Sequence, residues 1–270
     1  MEHASALTEL VNRYLGGLAL ALLSALHLKP SNPKLPIPEH VVMAFVVLVV
    51  ATLLALWVKS RLSVERPGAS QQIAEFLLNN PMGFGIRDVL SQNAGHEWER
   101  YVPVVGSIGL FVLLGNLFGA FPFLTAPTAV YAVPLACAIL AFSYFNWQGI
   151  RHHGPIGYMK HFIGPVPWLA WLIFPVEILS TTARLLSLSV RLWANIFASD
   201  IIYGLFVGLF ASAFTAGWTK SPVLGIIAGI LPALFPIAFL LLHIFVSVVQ
   251  AYVFTILPSV YIGMSTEEHL

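Results

Sequence analysis

Residues 184–222 read RLLSLSVRLWANIFASDIIYGLFVGLFASAFTAGWTKSP, an almost unbroken apolar run that nevertheless holds two arginines and an aspartate. The apolar character extends both ways. From Val166 to Ile262 it is interrupted chiefly at GWTKSP, residues 217–222, so each half exceeds forty residues. At about 1.5 Å rise per residue, a helix of that length is about twice the ~30 Å thickness of the hydrocarbon layer. Such helices cannot stand upright in a bilayer. They must tilt or break, and Pro165, Pro167, Pro175, Pro232, Pro236 and Pro258 permit either. Two long, tilted, antiparallel helices, about 166–216 and 222–262, are expected, because the polar residues then fall into order.

The rest of the chain agrees with a lipid environment. Of 270 residues, 58% are hydrophobic and 9% charged, with a mean hydropathy of +0.85; soluble domains carry about a quarter charged residues. Lipid cannot satisfy backbone N–H and C=O groups, and the runs lack period-2 alternation, so the expected class is an all-α membrane protein and not a barrel. A net charge of +1 gives no case for nucleic acid. The single cysteine, Cys137, sits in an apolar segment and offers neither a disulfide nor a metal site.

About five membrane helices are expected. HVVMAFVVLVVATLLALWV, His40 to Val58, forms the first span, about 40–58. Lys59, Arg61 and Arg66 follow it, which puts that end in the cytoplasm and the N-terminus outside. Spans at about 101–121 and 129–147 come next, joined by PFLTAPT and followed by a cytoplasmic loop, RHHGPIGYMKHF. The apolar run Tyr14 to Leu28 is too short to cross, so residues 5–28 are expected as an interfacial helix within an extracytoplasmic segment, 1–39, ahead of a membrane domain, 40–270. Residues 70–98 suit a surface helix plus loop on the cytoplasmic side.

In the first long helix Glu177, Arg184, Arg191 and Asn195 stand at offsets 0, 7, 14 and 18. At about 100° per residue they share one face to within roughly 40°. None of Ser187, Leu188, Ala194 and Asn195, the i±3 and i±4 neighbours of Arg191, is acidic. In the second long helix His243, Ser247 and Gln250 share a face at offsets 0, 4 and 7. If the hairpin turns near residue 220, positions summing to about 441 lie level; Arg191 then meets Gln250, and Asp200 comes within a turn of His243. Asp200 itself is about 13 Å from Arg191 along the axis and on the opposite side of the helix, and Glu177 about 21 Å the other way. The cation thus lacks an acid of its own, and the missing carboxylate is expected on a partner. Asp, Glu and His exchange protons, whereas an arginine guanidinium does not let go of its own. A proton arriving by Asp200 and His243 must therefore be carried around Arg191 on a moving acid that pairs with it when ionised and enters lipid when neutral.

EILSTTARLLSLSVRLWANIFASDII resembles the signature of subunit a, the stator channel subunit of rotary F-type ATP synthases: an acid, then S-L-x-x-R-L-x-x-N, then an acid nine residues past the arginine. HIFVSVVQAYVF, LLGNLFGAFP, GYMKHF and the closing MSTEEH extend the resemblance over roughly residues 40–270. It implies that Arg191 faces a carboxylate on the c-ring proteolipid, that Asn195, Asp200, His243, Ser247 and Gln250 line an outer half-channel, and that Glu177 and Ser180 stand near an inner one. Arg184 and Asn116 are further candidates; Asn116 could equally join two helices by a hydrogen bond. It also implies partnership with the peripheral-stalk subunit b and other synthase subunits, a multi-pass location in a bacterial cytoplasmic membrane with the C-terminus inside, and no cofactor. Where many members have Glu, this chain has Asp200, and Trp193 follows the R-L pair.

Other readings are weaker. His152, His153 and His161 lack metal-site spacing, and neither H-E-x-x-H, G-x-S-x-G nor a phosphate-binding G-x-x-x-x-G-K-[ST] occurs, so no catalytic site is expected in this chain. A self-contained transporter would supply its own counter-charge and inverted repeats. A sodium-coupled form of the same subunit remains the alternative, because ion choice would rest on the partner's carboxylate.

Overall fold

The computed structural model describes residues 5–266 apart from 26, 28–31, 33–34, 64–66, 81–82, 96, 122–123 and 164–166, with 159–163, 167, 170 and 228–234 described by backbone alone. Arg66, Pro165, the side chain of His161 and residues 267–269 of the closing motif therefore lie outside the described set. Eight α-helices follow one another among the described residues: α1 (Ala6–Ala25), α2 (Glu39–Ser60), α3 (Ala69–Leu78), α4 (Ile86–Asn93), α5 (Val102–Phe118), α6 (Ala132–Ile163), α7 (Ala170–Trp218) and α8 (Pro222–Thr266). No strand occurs among the described residues, as an all-α membrane protein requires.

Among the described residues, five helices are long and apolar enough to cross a membrane: α1, α2, α6, α7 and α8. The chain is a multi-pass membrane protein. The expected interfacial helix over residues 5–28 is present as α1, Ala6–Ala25, whose 20 residues are by length and composition also sufficient to span. α5, expected as a full span, has 17 residues and is the shorter apolar helix. The stretch expected as a loop after Trp147 is helical, broken only at Gly154, whose φ of 73° is a left-handed conformation that glycine adopts freely and other residues rarely do. Pro155 follows and restarts the helix.

α7 and α8 run uninterrupted for 49 and 45 residues. Pro175 lies inside α7 without breaking it. At about 1.5 Å per residue both exceed twice the hydrocarbon thickness, so neither can stand along the bilayer normal.

The chain forms two compact units. The first comprises Met1–Val50, Leu114–Val133 and Ala194–Ser247. Within it the Asn12 side chain donates to the Ile37 carbonyl (3.0 Å) and accepts from its N–H (2.9 Å), tying α1 to the segment ahead of α2. The outer parts of α7 and α8 meet as an antiparallel hairpin. Phe206 stacks on Phe235 with centroids 4.8 Å apart, a pair that sums to the expected register. At the turn, a Cβ on Gly217 would lie 2.7 Å from the Gly225 Cα, so these backbones touch through glycine.

The second unit comprises Ala51–Leu113, Pro134–Trp193 and Val248–Leu270. Its core gathers Leu90 and Ala94 from the α4 end, Tyr101, Val105 from α5, Phe145 from α6 and Ile262 from α8. α4, in the stretch expected at the surface, therefore buries one face in protein. Close approach of α5 and α8 is secured by Gly109, where a Cβ would stand 2.5 Å from the Thr255 hydroxyl.

Because the hairpin turn has no room for a side chain, Gly217→Val should cost about 1–3 kcal/mol through overpacking. Gly204, which has nothing within 4 Å of a built Cβ, should accept alanine with no loss. Thermal unfolding of the detergent-solubilised protein checks both, and equal midpoints for the two variants would contradict the packing.

Candidate functional site

Helical spacing assigned the polar residues to faces, and burial within each unit agrees. In the first unit His243 and Ser247 are both buried, while Ile244 and Phe245 between them are exposed. His243 projects from α8 to the end of α5, where its Nε2 lies 2.9 Å from the backbone carbonyl of Asn116. The Asn116 side chain is also buried and its Oδ1 accepts a 2.7 Å hydrogen bond from the Thr128 hydroxyl. Asn116 thus ties the end of α5 to the turn that follows it. Ser247 donates to the His243 carbonyl at 2.7 Å, so its proton is committed to its own helix. Asp200 is half-buried on α7 and within electrostatic reach of His243. That proximity follows the hairpin register. Asn195 is half-buried one turn before Ser199, whose hydroxyl donates to the Asn195 carbonyl.

In the second unit Glu177 and Arg184 line a cavity of about 50 Å³ with Phe145, Tyr158, Thr181, Tyr261 and Ser265 among its walls. That volume admits several waters. The Arg184 guanidinium sits 5.3 Å from the Tyr261 ring centroid, a cation–π contact that gives this second cation a holding place inside the protein. The expected Ser180 is half-buried but does not line the cavity; its neighbour Thr181 does, with its hydroxyl donated to the Glu177 carbonyl at 2.7 Å. Tyr158 donates to the Asn146 side chain at 2.8 Å.

Arg191 behaves differently from Arg184. Leu192 beside it is fully buried, yet Arg191 is exposed in the middle of an apolar helix, and it makes no hydrogen bond or ion pair among the described residues. Gln250, also in the second unit, is buried, and its Oε1 has no partner; the Nδ2 of Asn116 in the first unit is likewise buried and unpartnered. Buried polar atoms without partners are rare and call for hydration or a functional account. Among the described residues the third such atom is the Nε2 of His153. No group of three metal-ligating side chains occurs among the described residues.

Comparison with known proteins gives the family of the chain. The family described as ATP synthase A chain matches residues 40–263. The chain belongs to the ATP synthase subunit a family. It is 36% identical over 266 residues to the ATP synthase subunit a of Koribacter versatilis, covering 98% of each chain. It is 34% identical over 259 residues to that of Solibacter usitatus, covering 96% of this chain and 99% of the relative. A subunit a is one component of an ATP synthase complex, so the other subunits of such a complex are its partners.

Spacing alone missed Thr128, Thr181, Tyr158 and Tyr261. Thr128 lies in PFLTAPT, read only as a turn, and its pairing with Asn116 depends on how that turn folds back over α5. A threonine between two proline-bounded segments was the one available signal. Thr128→Val leaves the Asn116 Oδ1 buried without a donor, which should cost about 1–3 kcal/mol; Thr128→Ser should largely restore it. Thermal unfolding in detergent reads the difference, and a valine variant as stable as the wild type would mean that this hydrogen bond contributes nothing.

Proposed function

We propose that this subunit a conducts protons between the two sides of the membrane by way of two offset half-channels and a carboxylate carried on the c-ring, coupling proton flow to rotation and ATP synthesis. The observation that carries the reading is Arg191: an exposed guanidinium on an apolar helix with no counter-charge among the described residues. A bare cation at membrane depth costs several kcal/mol, and a partner's carboxylate offsets that cost when it arrives ionised. A transporter complete in one chain would carry the acid itself.

On α7 the order Glu177, Arg191, Asp200 places an acid on either side of the arginine. Protons enter by Asp200, His243, Asn195, Ser247 and Gln250, bind the ring carboxylate, and leave toward Glu177 and the cavity that it lines with Arg184. Asp, His and water pass protons along; Arg191 stops them, so a proton short-circuits only if that side chain is removed. One charge moving through 100 mV releases about 2.3 kcal/mol, which drives the ring. The peripheral-stalk subunit b holds this subunit still while the ring turns. The membrane is the bacterial cytoplasmic membrane, with the N-terminus outside and the C-terminus inside.

Arg191→Ala and Arg191→Lys should both abolish ATP-driven proton pumping in vesicles containing the whole complex. The alanine variant should also raise passive proton flux, since the barrier between half-channels is gone, whereas the lysine variant keeps a cation there. Intact pumping in the alanine variant rules the mechanism out.

A further inference from the structure

The contact between His243 and α5 says more than that the two are close. A backbone carbonyl can only accept, so the nitrogen 2.9 Å from the Asn116 oxygen must be the donor, which fixes neutral His243 with its proton on Nε2. The other nitrogen, Nδ1, makes no hydrogen bond among the described residues. The end of α5 is shaped for this contact. Beyond Phe118 the chain turns to i to i+3 bonds: Gly119 N–H to Asn116 O (3.1 Å), Ala120 to Leu117 (3.0 Å) and Phe121 to Phe118 (3.1 Å). The Asn116 carbonyl, which already accepts from the Gly119 N–H, offers its second lone pair to the imidazole. The ring fits there because residue 119 is glycine. A Cβ at that position would stand 3.1 Å from Nε2, 3.2 Å from Cε1 and 3.1 Å from the Ala126 methyl, so the ring or Ala126 would have to shift by a few tenths of an ångström to admit it.

We infer that His243 carries protons through one port: Nε2 stays donated to the Asn116 carbonyl throughout, Nδ1 alone gains and loses the transported proton, and Gly119 is the positioning residue that admits the ring. The inference rests on the proposed proton path and specifies how its histidine works. Neutral His243 accepts a proton on Nδ1 from Asp200 or from water to become the imidazolium, and then gives that same proton from Nδ1 to water leading toward the ring carboxylate, Asp200 being reprotonated from outside. The Nε2–H bond is neither broken nor formed. A two-port relay, in at one nitrogen and out at the other, would have to break the bond to α5 and turn the ring over in every cycle.

The test uses the assembled complex with 15N-labelled histidine, taking the His243→Gln complex as the spectral blank. The expected spectrum of neutral His243 is that of the Nε2-protonated tautomer, with its Nε2 proton slow to exchange with water. Gly119→Ala should erase this signature, speed that exchange and lower ATP-driven pumping, each by about tenfold, the fold-change of one buried hydrogen bond. Gly208→Ala, at a site with nothing within 4 Å of a built Cβ, should change neither. An Nδ1-protonated tautomer in the wild type overturns the inference, as does a Gly119→Ala complex with wild-type resonances, exchange and pumping. Should the Gly119→Ala complex fail to assemble, the wild-type tautomer and exchange rate decide alone. Pumping that survives Arg191→Ala would remove the channel reading and leave the tautomer result standing, so the two failures are separable.

Discussion

Lipid offers no hydrogen bonds, and this single constraint organises the protein. Backbone groups satisfy it by staying helical through lengths that the bilayer cannot hold upright. Hydroxyls satisfy it by folding back on their own helices: Thr181 on the Glu177 carbonyl, Ser189 on Leu186, Ser199 on Asn195, Ser247 on His243 and Thr255 on Ala251. Against this background of internally settled polarity, the unsettled groups stand out. Among the described residues Arg191 is exposed without a counter-charge, and Gln250 Oε1 and Asn116 Nδ2 are buried without partners.

The two arginines of α7 separate by this criterion. Arg184 lies over the Tyr261 ring beside a cavity that also reaches Glu177, so its charge is partly met by the protein that carries it. Arg191, seven residues on, has nothing of the kind among the described residues. Seven residues bring both to the same helix face, but Tyr261 lies near only one of them. The proposed work of the protein needs that asymmetry: a cation that is already satisfied could not recruit a carboxylate from elsewhere.

Glycine controls where backbones and rings come close. Gly217 and Gly225 bring the two arms of the hairpin into contact, Gly109 admits the Thr255 hydroxyl, and Gly119 admits the His243 ring to the end of α5. With little hydrophobic force between helices in lipid, such close packing and the few hydrogen bonds across it supply the association energy. The same small residues that stabilise the bundle also aim its polar side chains. Folding and the proposed proton path therefore share positions.

Length and apolarity determined most of the fold directly from sequence, because a bilayer leaves an apolar chain little choice but helix. The hairpin register followed from one turn at Gly217, Lys220 and Pro222, and Phe206 on Phe235 keeps it. The faces of His243, Ser247 and Gln250 followed from helical periodicity, and so did the isolation of Arg191, since no acid stands within a turn of it. Helix ends were less legible: α1 starts before its apolar run, and the stretch after Trp147 continues as helix with its break at Gly154, because polar residues at a membrane surface still favour helical hydrogen bonding. What only the tertiary structure decided is which partner each polar atom takes. Thr128 meeting Asn116, Tyr261 beneath Arg184, and the Asn116 carbonyl receiving His243 join positions 12, 77 and 127 residues apart. Sequence spacing reports the neighbours along one helix, and these contacts depend on how separate elements pack.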